Sequence, residues 1–241
     1  MSDAFLIDSA GPIARITLNR PEVGNILTMD ALRALGAAIT ELGAGPERRA
    51  IVVQGAGKDF CLGRDTSGGP PKVKPTAVQM RANLTQPILD VYKAVRDAPV
   101  PVIAAVQGHA SGLGCAFISG CDMAIATSGA RFRLPEMEKD LPPTLAISAL
   151  LHRVPPKTIA YMVYALHEID AQTALNAGFI SRVVPEADLK KTVDELCAHL
   201  EERSAIAVRT VKEYLRSALY MDAGGASDFA GISLANVLSS R

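Results

Sequence analysis

The sequence has no tryptophan, no excess of either charge and no long apolar run. Lysine plus arginine total 25, and aspartate plus glutamate also total 25, among 241 residues. Binding of nucleic acid or of an anionic membrane surface depends on a basic face, so this balance argues against both partners. No apolar stretch approaches the roughly 18 residues that a membrane-spanning helix requires.

Cysteine is also scarce, and its spacing is uninformative. The four cysteines (Cys61, Cys115, Cys121 and Cys197) form no CxxC pair and are too few for a disulfide framework in a chain of this length. The four histidines are scattered, without the paired spacing of a metal site. The first residues lack the basic, apolar and small-residue order of a secretion signal. We therefore predict a cytoplasmic protein with reduced thiols and no metal.

What the sequence does contain is a regular alternation of strand and helix patterns. Hydrophobic residues make up 49% of the chain, enough for a sizeable core. A hairpin is predicted over Phe5–Asp8 and Ile13–Leu18, a helix capped by Thr28 follows, and one kinked at Pro87 extends to Asp97. Further strands are predicted at 51–53, 102–106, 123–126 and 180–184, and an exposed loop at 66–76.

Beyond residue 142 the pattern becomes mostly helical. We predict an α/β core over residues 1–184 and a helical C-terminal region over residues 185–241. The C-terminal region has many apolar residues and little sequence to cover them, which indicates contacts between subunits.

Two segments share the order of buried strand, glycine turn and helix start. The first runs from residues 51–53 through Gly55 to Asp65, and the second from residues 102–106 through Gly108 to Gly114. Glycine permits close approach of the backbone to a ligand, and the first amides of a helix have no partner within it. Two such amides meeting at one point would bind an oxyanion. Glycine turns between strands and helices are common, however, so alone they leave a purely structural role open.

Five motifs in succession resemble those of the crotonase (enoyl-CoA hydratase/isomerase) family, and they extend from about residue 5 to residue 220 in family-like order. They are Leu18-Asn19-Arg20-Pro21-Glu22 with Asn25; Phe60-Cys61-Leu62-Gly63-Arg64-Asp65; Gly108 to Gly114 with Cys121-Asp122; Phe132-Arg133-Leu134-Pro135-Glu136; and Ala174-Leu175-Asn176-Ala177-Gly178-Phe179-Ile180. The resemblance implies a spiral of ββα units with a C-terminal helical trimerisation region. It also implies a homo-oligomer, trimer or hexamer, with coenzyme A bound only as part of the thioester substrate.

The resemblance further implies an oxyanion hole made by two backbone N–H groups, which we assign by position to Leu62 and Leu113. The family more often has glycine at the second position, but leucine supplies the same amide. Prepositioned donors stabilise the charge that a thioester enolate places on oxygen. The other residues expected to contact the substrate are Cys61, Gly63, Arg64, Gly112, Ala116 and Lys212, with Arg64 and Lys212 favoured as partners of the coenzyme A phosphates.

The family's hydratases use two glutamates, and here only one is present. The first position falls on Ala116 and the second on Glu136. A single carboxylate suits the transfer of a proton from one carbon to another, so double-bond isomerisation is favoured over hydration. Burial must then raise the pKa of Glu136 for it to act near neutral pH. Alternatives are a hydratase that recruits Asp140 or Glu138, a decarboxylase or hydrolase relative, and a catalytically impaired subunit that binds coenzyme A esters.

Overall fold

The computed structural model describes residues 4–68 and 73–240. Part of the predicted loop at 66–76 therefore lies outside the described residues. Within them the chain forms nine strands: β1 (Phe5–Asp8), β2 (Ile13–Leu18), β3 (Ala50–Gly55), β4 (Val102–Val106), β5 (His109–Ser111), β6 (Met123–Thr127), β7 (Arg131–Arg133), β8 (Ile169–Asp170) and β9 (Arg182–Val184).

The α-helices alternate with these strands and then dominate the C-terminal part. They are α1 (Met29–Ala44), α2 (Ala77–Met80), α3 (Gln86–Asp97), α4 (Leu113–Gly120), α5 (Thr144–Leu150), α6 (Pro156–Tyr164), α7 (Ala171–Asn176), α8 (Leu189–Glu201), α9 (Ala205–Ala218) and α10 (Ala223–Ser239). None of the described helices is long and apolar enough to cross a membrane.

A six-stranded sheet in the order β1-β2-β3-β4-β6-β9 forms the centre of the fold. The β1–β2 hairpin is antiparallel, as predicted, and the remaining neighbours are parallel. Every residue of β4 is buried because helices cover both faces of the parallel sheet. A smaller sheet in the order β5-β7-β8 places the second glycine turn beside the Phe132–Glu136 motif. The predicted mixed α/β fold with a helical C-terminal region is confirmed.

The predicted helix that ends at Asp97 is present, with a local irregularity. Residues 77–97 run continuously as α2, a π-helical stretch at Arg81–Thr85 and α3, and Arg81, Thr85 and Gln86 at the junctions have right-handed helical backbone angles. Pro87 has no N–H to donate to the carbonyl one turn earlier, and its ring crowds that carbonyl. The irregularity predicted at Pro87 therefore takes the form of a π-helical turn directly before the proline.

Asn25 holds the first motif against the first glycine turn. It is buried and has a positive φ of 56°, a conformation that asparagine tolerates better than most residues. Its Oδ1 accepts a hydrogen bond from the Arg20 amide at 2.9 Å, and its Nδ2 donates to the carbonyls of Ala56 (2.9 Å) and Asp59 (2.8 Å). One side chain thus satisfies three backbone groups and fixes the loop that leads to Phe60.

Replacing Asn25 with alanine is expected to lower the free energy of unfolding by about 1–3 kcal/mol, because buried backbone groups lose their partners. Urea titration followed by circular dichroism measures the change. Asn19→Ala is the matched control, since the Asn19 side chain forms no hydrogen bond with the described residues. Equal stability of the two variants would contradict the role given to Asn25.

Candidate active site

Backbone hydrogen bonds join the two glycine turns side by side. The amides of Phe60 and Cys61 donate to the His109 carbonyl at 3.1 and 3.3 Å, and the Ser111 amide donates to the Cys61 carbonyl at 3.0 Å. A Cβ on Gly114 would stand 2.2 Å from that same Cys61 oxygen, so only glycine allows α4 to begin so close to the first turn. The juxtaposition expected from the sequence is present.

On its other side, the segment that contains Leu62 pairs with the first motif. The Leu62 amide donates to the Gly24 carbonyl at 2.8 Å, and the Leu27 amide donates to the Gly63 carbonyl at 3.0 Å. The Leu62 N–H is therefore already engaged and faces away from α4. This differs from the prediction that Leu62 supplies one of the two oxyanion donors.

Two residues after Leu62, the Arg64 N–H has the orientation that the prediction required of an oxyanion donor. Arg64 forms a parallel bridge with Leu27, in which the neighbours Gly63 and Asp65 make the hydrogen bonds to Leu27. In such a bridge the N–H of the central residue points to the opposite side. No described residue accepts a hydrogen bond from the Arg64 N–H. The free amide of the first turn is therefore that of Arg64, two residues after the one assigned from the sequence.

Leu113 provides the second free amide. It is the first residue of α4, and its N–H has no acceptor among the described residues. A Cβ on Gly63 would stand 4.0 Å from the Leu113 nitrogen and 3.2 Å from the Ser111 oxygen. The chain just before Arg64 therefore passes next to the start of α4, and two unpaired amides border the same space.

Glu136 reaches this space from the first turn of a 3-10 helix at Glu136–Lys139. Its Oε1 lies 3.0 Å from the position that a Cβ on Gly112 would occupy, and Gly112 has a φ of 52°. Its Oε2 is fully buried and has no hydrogen-bond partner. Burial raises the pKa of the Glu136 carboxyl, against smaller opposing effects of its own backbone N–H and of Arg133. These are the properties expected of an acid–base group.

No replacement for the missing glutamate is found at the two candidate positions. Ala116 is fully buried in α4. Glu138 is exposed and forms an ion pair with Arg133, while Asp140 is an exposed residue with a φ of 53° at the end of the same 3-10 helix. The idea that Asp140 or Glu138 replaces the carboxylate absent at Ala116 is thus not supported by their placement.

Two of the residues predicted to bind substrate have other partners. The Lys212 ammonium is buried and lies 2.6 Å from both oxygens of Asp122, so its charge is already paired within the chain and not free for a coenzyme A phosphate. The Cys61 thiol is buried and donates to the Asn25 carbonyl at 3.2 Å, and burial raises its pKa to about 12. It therefore stays protonated and faces the interior.

Two of the remaining predicted residues, Gly63 and Gly112, lie beside the two amides. The backbone of Gly63 passes close to the Leu113 nitrogen, and that of Gly112 passes close to the Glu136 carboxylate. The Arg64 guanidinium is half-buried and donates to the Asp65 carbonyl at 3.2 Å. Among residues 4–68 and 73–240, no group of three or more histidine, cysteine, aspartate or glutamate side chains is arranged to hold a metal ion.

Comparison with known proteins identifies the family to which a chain with this site belongs. The model of the enoyl-CoA hydratase/isomerase family matches residues 8–228. The chain belongs to this family. It is thus an acyl-CoA enzyme of the crotonase superfamily, and the resemblance seen in the five motifs is confirmed.

Individual members of the family show the same similarity. The short-chain-enoyl-CoA hydratase of Clostridium acetobutylicum is 29% identical over 219 residues, which cover 90% of this chain and 82% of the relative. The enoyl-CoA hydratase structure from Mycobacterium smegmatis superposes with a TM-score of 0.91 at 28% identity, covering 98% of this chain and 91% of the other. A putative enoyl-CoA hydratase from Thermobifida fusca, in complex with CoA, has a TM-score of 0.85 at 29% identity, covering 99% and 94%.

Proposed function

We propose that this family member moves a proton at carbon 2 of an acyl-CoA thioester and that double-bond isomerisation is its favoured reaction. The amides of Arg64 and Leu113 hold the thioester oxygen, and Glu136 is the proton carrier. The observation that carries the proposal is the half-buried Glu136 carboxylate, whose buried Oε2 has no partner, beside an unpaired α4 amide and with only alanine at position 116.

The reaction then requires one acid–base group and one oxyanion site. The ionised Glu136 carboxylate removes a proton from carbon 2 of a 3-enoyl thioester, and the electron pair moves to the thioester oxygen. The two amides stabilise that oxygen without reorganisation, because the backbone already holds them in place. Protonated Glu136 then returns the proton to carbon 4, the double bond forms between carbons 2 and 3, and the carboxylate is regenerated.

A panel of saturated, 2-enoyl, 3-enoyl and dicarboxylic thioesters tests this proposal, with product mass and stereochemistry as the readout. Isomerisation leaves the mass of a 3-enoyl-CoA unchanged, whereas hydration of a 2-enoyl-CoA adds one water. Incubation of a saturated thioester in D₂O tests the first step alone, since removal and return of the carbon-2 proton introduces deuterium. Turnover of 2-enoyl-CoA only, with addition of water, would overturn the preference for isomerisation.

Hydration is the second candidate, because the similar protein of Clostridium acetobutylicum is an enoyl-CoA hydratase. A decarboxylase or a hydrolase would use the same oxyanion site. The dicarboxylic and saturated thioesters of the panel test for these two activities. A chain that binds coenzyme A esters but converts none of them, and exchanges no proton, would instead be a binding subunit.

We also propose a homo-oligomer, trimer or hexamer, built with the C-terminal helices. Large apolar side chains are exposed on α9, directly after it and on α10: Val211, Leu215, Leu219, Ile232, Leu234 and Leu238. Patches of this kind on a folded chain mark contact surfaces. Light scattering coupled to size-exclusion chromatography measures the mass, and a monomer at micromolar concentration would contradict the proposal.

A further inference from the structure

The backbone ladder that joins the two glycine turns is short. It consists of a parallel bridge between Cys61 and Ala110 and of the three backbone hydrogen bonds given above for these turns. Register is weakly specified in glycine-rich segments, and a slip of one residue turns every group to the opposite face. The placement of the Arg64 and Leu113 amides relative to each other therefore depends on what fixes the register of this ladder.

A side-chain pair, Asp59 with His109, joins the two segments where the ladder begins. Asp59 Oδ1 accepts a hydrogen bond from the His109 backbone N–H at 2.9 Å and lies 2.9 Å from His109 Nδ1. Glycine at position 108 allows this approach, since a Cβ there would stand 2.7 Å from the same Oδ1 and 2.1 Å from the Lys58 carbonyl oxygen. One carboxylate oxygen of the first turn thus holds both the amide and the ring of the residue that begins β5.

The Asp59 carboxylate is ionised in this setting. Burial acts to raise its pKa, but the hydrogen bonds from the His109 amide and ring, together with the electrostatic effect of that ring and of Lys58, outweigh burial and lower the pKa. An ionised carboxylate can only accept, so the ring donates through Nδ1–H, while its Nε2 faces Glu168 Oε2 at 3.9 Å. Hydrogen bonds to a charged acceptor are stronger than those between neutral groups, so this pair is stronger than the backbone bonds beside it.

Both oxyanion donors lie a short way along the chain from this pair. Arg64 follows Asp59 by five residues, and Leu113 follows His109 by four. The two segments stay close as far as the donors, since a Cβ on Gly63 would stand 4.0 Å from the Leu113 nitrogen. A slip of one segment against the other at the pair therefore changes the spacing of the two amides, and a misplacement of about 1 Å can lower a rate by about a hundredfold.

We propose that Asp59 is a positioning residue for the oxyanion site: its carboxylate, bonded to His109, fixes the register of the two glycine turns and thereby the spacing of the Arg64 and Leu113 amides. The inference rests on the proposed function, because those amides must hold the thioester oxygen. Asp59 acts through the two donors, whose placement matters most when negative charge develops on that oxygen. Its loss should therefore lower kcat more than it raises KM.

The kinetic test compares Asp59→Ala with Asp59→Asn and with the control Asp170→Ala. Alanine removes the acceptor and asparagine keeps an Oδ1 acceptor, while Asp170 is an aspartate that caps α7 by accepting from the Thr173 amide at 2.8 Å. With a 3-enoyl-CoA we expect kcat of Asp59→Ala to fall by about tenfold to a hundredfold, and KM to change by less than about threefold. Asp59→Asn should regain most of the lost rate, and the control should match the wild type.

A spectroscopic test examines the oxyanion site without turnover. A saturated acyl-CoA, isotope-labelled at its thioester carbonyl, is bound to each variant, and the carbonyl stretch is measured by infrared difference spectroscopy. Hydrogen bonds from the two amides lower this frequency relative to the free thioester. The shift should be present in the wild type and in Asp170→Ala, smaller in Asp59→Ala and restored in Asp59→Asn. His109→Ala keeps the backbone bond to Asp59 but loses the ring, so its shift and its kcat should lie between those of Asp59→Ala and the wild type.

The outcomes separate this inference from the proposed function. A carbonyl shift and a kcat in Asp59→Ala equal to those of the control would overturn the role of Asp59, as would a rise in KM without recovery in Asp59→Asn. If Asp59→Ala does not fold, wild-type values in His109→Ala overturn it instead. A wild type that shifts the carbonyl but neither converts an enoyl-CoA nor exchanges the carbon-2 proton contradicts the proposed reaction alone. A wild type that causes no carbonyl shift contradicts the oxyanion site, and the role of Asp59 with it.

Discussion

Replacing Glu136 with glutamine is expected to lower kcat for 3-enoyl-CoA by about 10²–10⁴-fold, the usual contribution of a general acid–base group. Glutamine has nearly the same shape but cannot accept and return the carbon-2 proton. Deuterium incorporation into a saturated thioester should fall by a similar factor, because it depends on the same group. Stopped assays with mass detection measure both rates.

Binding provides the control for this variant. The amides of Arg64 and Leu113 belong to the backbone and are unchanged, so calorimetric affinity for a saturated acyl-CoA should remain within a few-fold of the wild type. Glu138→Gln is the matched substitution, because Glu138 is two residues away, exposed and paired with Arg133. Activity of Glu136→Gln close to that of Glu138→Gln would remove Glu136 from the mechanism.

The raised pKa of Glu136 also predicts the sign of the stability difference between Glu136→Gln and the wild type. Burial disfavours the ionised carboxylate in the folded chain, so the folded-state pKa lies above the unfolded one. Stability is then greatest when the group is neutral, below the unfolded pKa, and is lost as pH rises through the folded pKa. Relative to the wild type, Glu136→Gln should therefore gain stability between pH 4 and pH 8, as measured by urea midpoints.

Local patterns predicted the elements of this fold because the relevant interactions are short in sequence. The hairpin of Phe5–Asp8 and Ile13–Leu18 and the strand at 102–106 were predicted with the observed bounds. The Thr28 cap is present, accepting from the Ala31 amide. At Pro87 the pattern predicted where the helix becomes irregular but not the form of the irregularity, because a missing N–H is compatible with either a bend or a π-helical turn.

The site was less predictable than the fold, because it depends on the direction of single N–H groups and on pairs of residues that are far apart in the sequence. The position of the motif in the family predicted a donor at Leu62. Which amide is free depends on the pairing of this segment with Gly24 and Leu27, and that pairing leaves the Arg64 amide without an acceptor among the described residues. The one sequence signal was the glycine at position 63, because glycine permits the positive φ of 115° found there, and such a φ changes the direction of the next amide. Lys212 and Asp122 are 90 residues apart, and no local pattern reveals that they pair.

The second large effect is expected from Leu113→Pro, which deletes one oxyanion donor without deleting a residue. Leu113 is the first residue of α4, where proline is favoured because that N–H has no partner within the helix. Gly112 precedes it and carries no Cβ, so the usual clash of proline with the preceding side chain is reduced. Loss of this donor should lower kcat by about 10²–10³-fold.

Leu113→Ala is the control that isolates the N–H group. Both variants lose the buried leucine side chain, so both should unfold at a similarly reduced temperature, but only alanine keeps the amide. A large fall in kcat for proline with a small one for alanine assigns the effect to the hydrogen bond with the thioester oxygen. Equal activities would show that the α4 amide contributes nothing, since the two variants differ there in little else. The Arg64 amide would then have to bind the oxygen alone, and an enolate held by one donor would be a poor intermediate for either isomerisation or hydration.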